Sequence, residues 1–104
     1  MHHLIDQHRA EIATMCRRYG VRRLEVFGSA ARGEDFDPVA SDADFLVAFD
    51  PVVSDLSPLE QYFGLAAALE RLLKRPVDLV ESGALRNPFI LASVNQTREV
   101  VYAS

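Results

Sequence analysis

A chain of 104 residues, 49% of them hydrophobic and 25% charged, has the balance of one globular domain with too little length for a second core. Its formal net charge of -4 argues against a general nucleic-acid binder, which needs Lys and Arg to neutralise phosphates. The chain shows neither a secretory leader nor an apolar run long enough to span a bilayer, so a cytoplasmic protein without membrane partners is expected.

Residues 3–19 place Leu4, Ile5, Ile12, Met15, Cys16 and Tyr19 at helical spacing, which predicts a first helix ended by Gly20. Cys16 is the only cysteine, so no intramolecular disulfide can form, and its place on the apolar stripe predicts a buried, inert thiol. Arg17, Arg18, Arg22 and Arg23 cluster in sequence and read as cations near a helix C-terminus rather than as a phosphate-binding patch. His2, His3 and His8 lack metal-ligand spacing and read as surface residues.

The segment VRRLEVFG, residues 21–28, predicts the first strand, and a single helical turn could begin at Ser29 after it. Residues 34–41 combine acids with Pro38 and no period, which reads as a loop. A second strand runs from Asp42 through Phe49, ended by Asp50-Pro51. Ser57-Pro58-Leu59-Glu60 offers a cap, a proline at the first helical position and a glutamate three residues after the cap. Leu59, Phe63, Ala66, Leu69, Leu72 and Leu73 then predict the buried stripe of that helix, up to Pro76. PVDLVE follows as a third strand, a last helix covers residues 87–95, and residues 99–102 can add a final strand. The order implies an α+β fold, an α/β sandwich whose small mixed sheet is flanked by helices, with its first two strands antiparallel.

Side chains alternate along a strand, so Asp42 and Asp44 share one face with Leu46 and Ala48, and Ala43, Phe45, Val47 and Phe49 share the other. Were Asp78 on the neighbouring strand, three carboxylates would converge at one end of the sheet. Such a group repels itself unless a cation intervenes. All-oxygen ligation favours Mg²⁺ or Mn²⁺, completed by substrate phosphates. Gly28 and Ser29 supply a close backbone approach, a hydroxyl and amides for those phosphates. The plainer alternative has Asp42 and Asp44 capping the strand against a cation such as Arg32, with Asp78 facing water on an edge strand.

Gly28-Ser29, Arg32-Gly33, Ser41-Asp42-Ala43-Asp44 and Pro76-Val77-Asp78-Leu79 together resemble the signature of minimal nucleotidyltransferases in the DNA polymerase beta superfamily, and the likeness spans nearly the whole chain. The resemblance implies one nucleotidyltransferase domain over residues 1–104 with a polymerase beta palm-like fold. It implies Asp42, Asp44 and Asp78 as metal ligands and catalytic carboxylates, with Asp78 also placed to activate the acceptor hydroxyl. Gly28 and Ser29 would hold the β- and γ-phosphates of ATP. Ser41 joins the nucleotide-binding set, as does Arg32, for which a structural salt bridge is an equal alternative. Small stand-alone members resemble the antitoxin of modules whose partner is a HEPN-type toxin, so the resemblance implies Mg²⁺-dependent transfer of AMP from ATP to a tyrosine of such a toxin. Oligomers of this chain, or of the chain with the toxin, would fit. Two other readings are a non-catalytic antitoxin or nucleotide-binding module acting by contact, and a transferase for a small molecule such as an aminoglycoside. Twelve residues, Ala30 to Ser41, separate Ser29 from Asp42, slightly more than the family's commonest spacer, and the excess falls in the loop.

Overall fold

The structure is a computed structural model and describes residues 3–27, 43–50, 55–84 and 88–103. In chain order the described elements are α1 (His3–Gln7), α2 (Arg9–Arg18), β1 (Val21–Phe27), β2 (Ala43–Phe49), α3 (Pro58–Leu73), β3 (Val77–Glu81), a 3₁₀ turn at Ser82–Ala84, α4 (Pro88–Thr97) and β4 (Glu99–Ala103).

The first helix divides where the sequence suggests a continuous one. His8 takes φ -104° and ψ 17°, in the sparsely populated bridge region, and the helical ladder restarts with the Ile12 amide donating to the His8 carbonyl at 3.0 Å. Both pieces still face inward, since Ile5, Ile12 and Cys16 are fully buried. The chain leaves α2 through Gly20 at φ 70°, a left-handed position that glycine takes without strain.

Four strands form one sheet in the order β3-β2-β1-β4. β1 is antiparallel to both β2 and β4, while β2 and β3 are parallel, as a helical crossover between them requires. That crossover is α3. Its start carries the expected Ser57 cap: the hydroxyl oxygen accepts from the Glu60 amide at 3.2 Å, and the hydroxyl donates to the Glu60 carboxylate at 3.1 Å in place of the backbone bond of a full capping box. Its end carries no glycine. Lys74 takes the left-handed position at φ 57°, with its amide donating to the Glu70 carbonyl at 2.8 Å, and Pro76 prevents the helix from resuming.

The buried stripe of α3 is rotated from the one the leucines suggest. Gln61, Leu65, Ala68, Leu69 and Leu73 are buried, whereas Leu59 and Phe63 remain 67% and 60% exposed. Gln61 takes the inward position because its side-chain amide donates to the Tyr19 carbonyl at 3.0 Å, satisfying the exposed end of α2. Beside it, Gly64 lets the Tyr19 ring lie against α3, since a Cβ there would sit 2.4 Å from a ring carbon.

Val26, Phe45, Val47 and Leu79 from the sheet pack with Ile5, Ile12, Cys16, Leu65 and Leu69 in one apolar cluster. The helix layer of α1, α2 and α3 therefore covers the sheet face that carries the Ala43 parity. The opposite face is held differently. Arg98, just after α4, reaches Glu25, whose register partner is Leu46, so the α4 end of the chain is tied to the face that also bears Asp44. Among the described residues no helix is long and apolar enough to cross a membrane.

Candidate active site

The register decides which carboxylates meet. Phe27, the last residue of β1, pairs with Asp44 near the start of β2, and Asp44 pairs in turn with Asp78 near the start of β3. The flanking pair Phe45 and Leu79 belongs to the apolar core, so by strand alternation Asp44 and Asp78 stand side by side on the face away from α1, α2 and α3. Neighbouring strands lie about 4.8 Å apart, which puts the two carboxylates within reach of a common cation. Asp44 is half-buried and Asp78 is exposed, so the pair has one side toward protein and one toward solvent.

Backbone contacts fix the strand starts beneath this pair. The Ala43 amide donates to the Pro76 carbonyl at 3.1 Å, which locks the beginning of β2 to that of β3. The Tyr62 hydroxyl, reaching from α3, donates to the carbonyl of Leu79 immediately after Asp78. An edge strand thereby gains a side-chain donor for one of its backbone acceptors.

Two like charges on adjacent strands repel, and a cation bound between them would relieve that repulsion. The donor set is oxygen only, which fits Mg²⁺ or Mn²⁺ better than zinc. Among the described residues no three His, Cys, Asp or Glu side chains gather at one point. Asp42, the expected third ligand, lies outside the described residues, as do Gly28, Ser29, Arg32 and Ser41. Asp44 and Asp78 are the expected site residues that the structure brings together, and the chain continues into Gly28-Ser29 directly from the residue paired with Asp44.

One polar cluster on this face goes unread in the sequence. Glu25, only 3% exposed, receives two bonds of 2.6 Å from the Arg98 guanidinium, through Nε and Nη2, and its Oε1 lies 3.0 Å from Arg23 Nε. Hydrogen bonding from Arg98 holds the Glu25 carboxyl below its usual range despite its burial, and the same bond raises Arg98. A glutamate between Leu24 and Val26 in a strand was the available signal, but its partner lies 73 positions away. The cluster joins the α4–β4 corner to β1, two residues before Phe27. Cys16 behaves as its stripe suggests: it is fully buried, and desolvation pushes its thiol up to about 12.

A mixed sheet with helices on it and paired carboxylates at its parallel strand starts places the protein in the α+β class. Residues 10–101 match the nucleotidyltransferase domain family, and the chain belongs to that family. It is 37% identical over 99 residues to the protein adenylyltransferase MntA of Thermococcus cleftensis, covering 95% of this chain and 88% of that protein. A solved minimal nucleotidyltransferase superposes with a TM-score of 0.69 at 35% identity, over 90% of this chain and 89% of the other. The complex of tri-AMPylated Shewanella oneidensis HEPN toxin with MNT antitoxin contains a chain of the same fold, with a TM-score of 0.62 at 18% identity over 96% of this chain and 73% of that one.

Proposed function

We propose that this protein transfers AMP from ATP to a tyrosine hydroxyl of a HEPN-type toxin in the cytoplasm and so acts as its antitoxin. The observation that carries the reading is the in-register pairing of Asp44 with Asp78 on parallel strands, beside the strand end that leads into Gly28-Ser29. Kinship with a relative named a protein adenylyltransferase supports a protein as acceptor.

Asp44 and Asp78, joined by Asp42, would hold Mg²⁺, which when bound neutralises the phosphates and lowers the charge that builds on the leaving pyrophosphate. Gly28 and Ser29 position the β- and γ-phosphates through backbone amides and a hydroxyl, with Ser41 and Arg32 completing the nucleotide's surroundings. The acceptor oxygen forms its bond to the α-phosphorus as the bond to pyrophosphate breaks. Asp78, the exposed member of the pair, takes the proton of the acceptor hydroxyl. Because the two carboxylates stand on rigid strands and not on a loop, their separation is set before substrate binds.

Incubation with ATP, Mg²⁺ and the HEPN-type toxin, followed by intact-mass measurement of the toxin, tests this. An AMP adduct is expected with the wild type and is expected to vanish with Asp44→Asn or Asp78→Asn. Toxin inhibition that persists without an adduct in either variant would replace transfer with inhibition by contact.

A further inference from the structure

Away from the carboxylates, on the outer side of the helix layer, α2 and α3 leave an open groove of about 330 Å³ lined by Met15, Arg18, Tyr19, Ala68, Arg71 and Leu72. We infer that this groove is a docking site for an acidic amphipathic peptide segment of a partner protein.

The floor and the rim differ in chemistry. Met15, Ala68 and Leu72 offer an apolar floor that is half-buried or buried, suited to one aliphatic or aromatic side chain. Arg18 and Arg71 stand exposed at the rim from opposite helices, and neither makes an ion pair among the described residues. Arg18 instead lies 5.7 Å from the centroid of the Tyr19 ring, within the reach of a cation–π contact. Two guanidinium groups without an ion pair among the described residues, in a chain of net charge -4, offer complements to acids on another molecule.

The backbone beneath argues for carboxylates over phosphates. Arg18 lies in the last turn of α2 and Arg71 in the last turn of α3, and no residue from the first turn of either helix lines the groove. A dense phosphate dianion gains no backbone amides at such a place, whereas singly charged carboxylates reach the long arginine arms. A helical segment with glutamates at i and i+4 and an apolar side chain between them matches rim and floor together. The walls are preformed, because Gln61 and Gly64 hold Tyr19 against α3. The inference is independent of the chemistry at Asp44 and Asp78, which lie on the other face of the sheet.

The test is a titration of the ¹⁵N-labelled full chain with a short helical peptide carrying glutamates at i and i+4 around a leucine, followed by amide shifts. Shifts confined to Met15–Tyr19 and Ala68–Leu72 are expected, together with a loss of about tenfold or more in affinity for Arg18→Glu plus Arg71→Glu. A lysine-for-glutamate peptide should restore binding to that double variant, a result that damage to the fold could not produce. Scattered shifts, or affinity unchanged in the double variant, would overturn the proposal. So would groove shifts induced by ATP or inorganic phosphate with none from the peptide, since they would reassign the site to a small anion.

Discussion

Val26, Phe45 and Leu79 form a row across β1, β2 and β3 that is sealed under the helices, whereas the adjacent row on the same strands, Phe27, Asp44 and Asp78, faces the other way. One row is wholly apolar and at most 3% exposed, and the other ends in an exposed carboxylate. On the proposed reading, stability and chemistry are thus separated by a single residue step along each strand, through the alternation of the pleat. The rigidity that the inner row gives to the backbone is what holds the outer carboxylates at a fixed spacing.

Substitution of neighbours on β2 should break this comparison if it is wrong. Phe45→Ala is expected to cost about 3–5 kcal/mol in urea or thermal unfolding, the range for a fully buried aromatic. Asp44→Asn and Asp78→Asn should instead lower AMP transfer by about 10²–10⁴-fold. Their unfolding midpoints should stay near that of the wild type. A large stability loss in the aspartate variants would show that the outer row is structural.

Glu25 sharpens the comparison, because it lies on the outer face and yet is buried. Glu25→Gln should destabilise by about 2–3 kcal/mol, less than for a fully enclosed pair because Arg98 is still 37% exposed. The sign of the pH dependence follows from the lowered carboxyl: its contribution is present above the unfolded value near 4.5 and is lost as pH falls through the folded one. Urea midpoints measured between neutral pH and the acid range should therefore fall more steeply for wild type than for Glu25→Gln.

Smaller effects belong to the helix layer. Gly64→Ala gains about 1 kcal/mol of helix propensity but forces the Tyr19 ring aside, a net loss of about 1 kcal/mol being expected. In a Tyr19→Ala background the same change should become stabilising, which a double-mutant cycle reads directly. Ser57→Ala should cost about 1 kcal/mol through loss of the α3 cap, with AMP transfer unchanged.

What the sequence revealed and concealed divides along the same physical line. Local signals carried far: the Ser57-Pro58-Glu60 cap, the glycine exit at Gly20, and the parity that separates Asp44 from Phe45 all depend on neighbours within a few residues. The adjacency of Asp44 and Asp78 stood as a condition on strand order, and the parallel pairing meets it. Periodicity failed where a tertiary partner outranked hydrophobicity, as when Gln61 turned inward to meet the Tyr19 carbonyl while Leu59 and Phe63 stayed out. It failed again at His8, whose neighbours continue the apolar spacing although its own backbone departs from the helix. The Glu25–Arg98 pair had no local signature, since its members meet only once β1 and the α4–β4 corner have come together.

The parallel pairing of β2 and β3 also separates the carboxylate spacing from chain length. No hairpin ties Asp44 to Asp78; the first rung from Ala43 to the Pro76 carbonyl and the ladder after it set their distance, while α3 packs in a different layer. A segment inserted between β2 and α3 would lengthen the path without moving either acid, provided the strand starts still meet. Two residues far apart in the sequence then behave as one transplantable unit, and the crossover between them is free to diversify for whatever protein must be met outside.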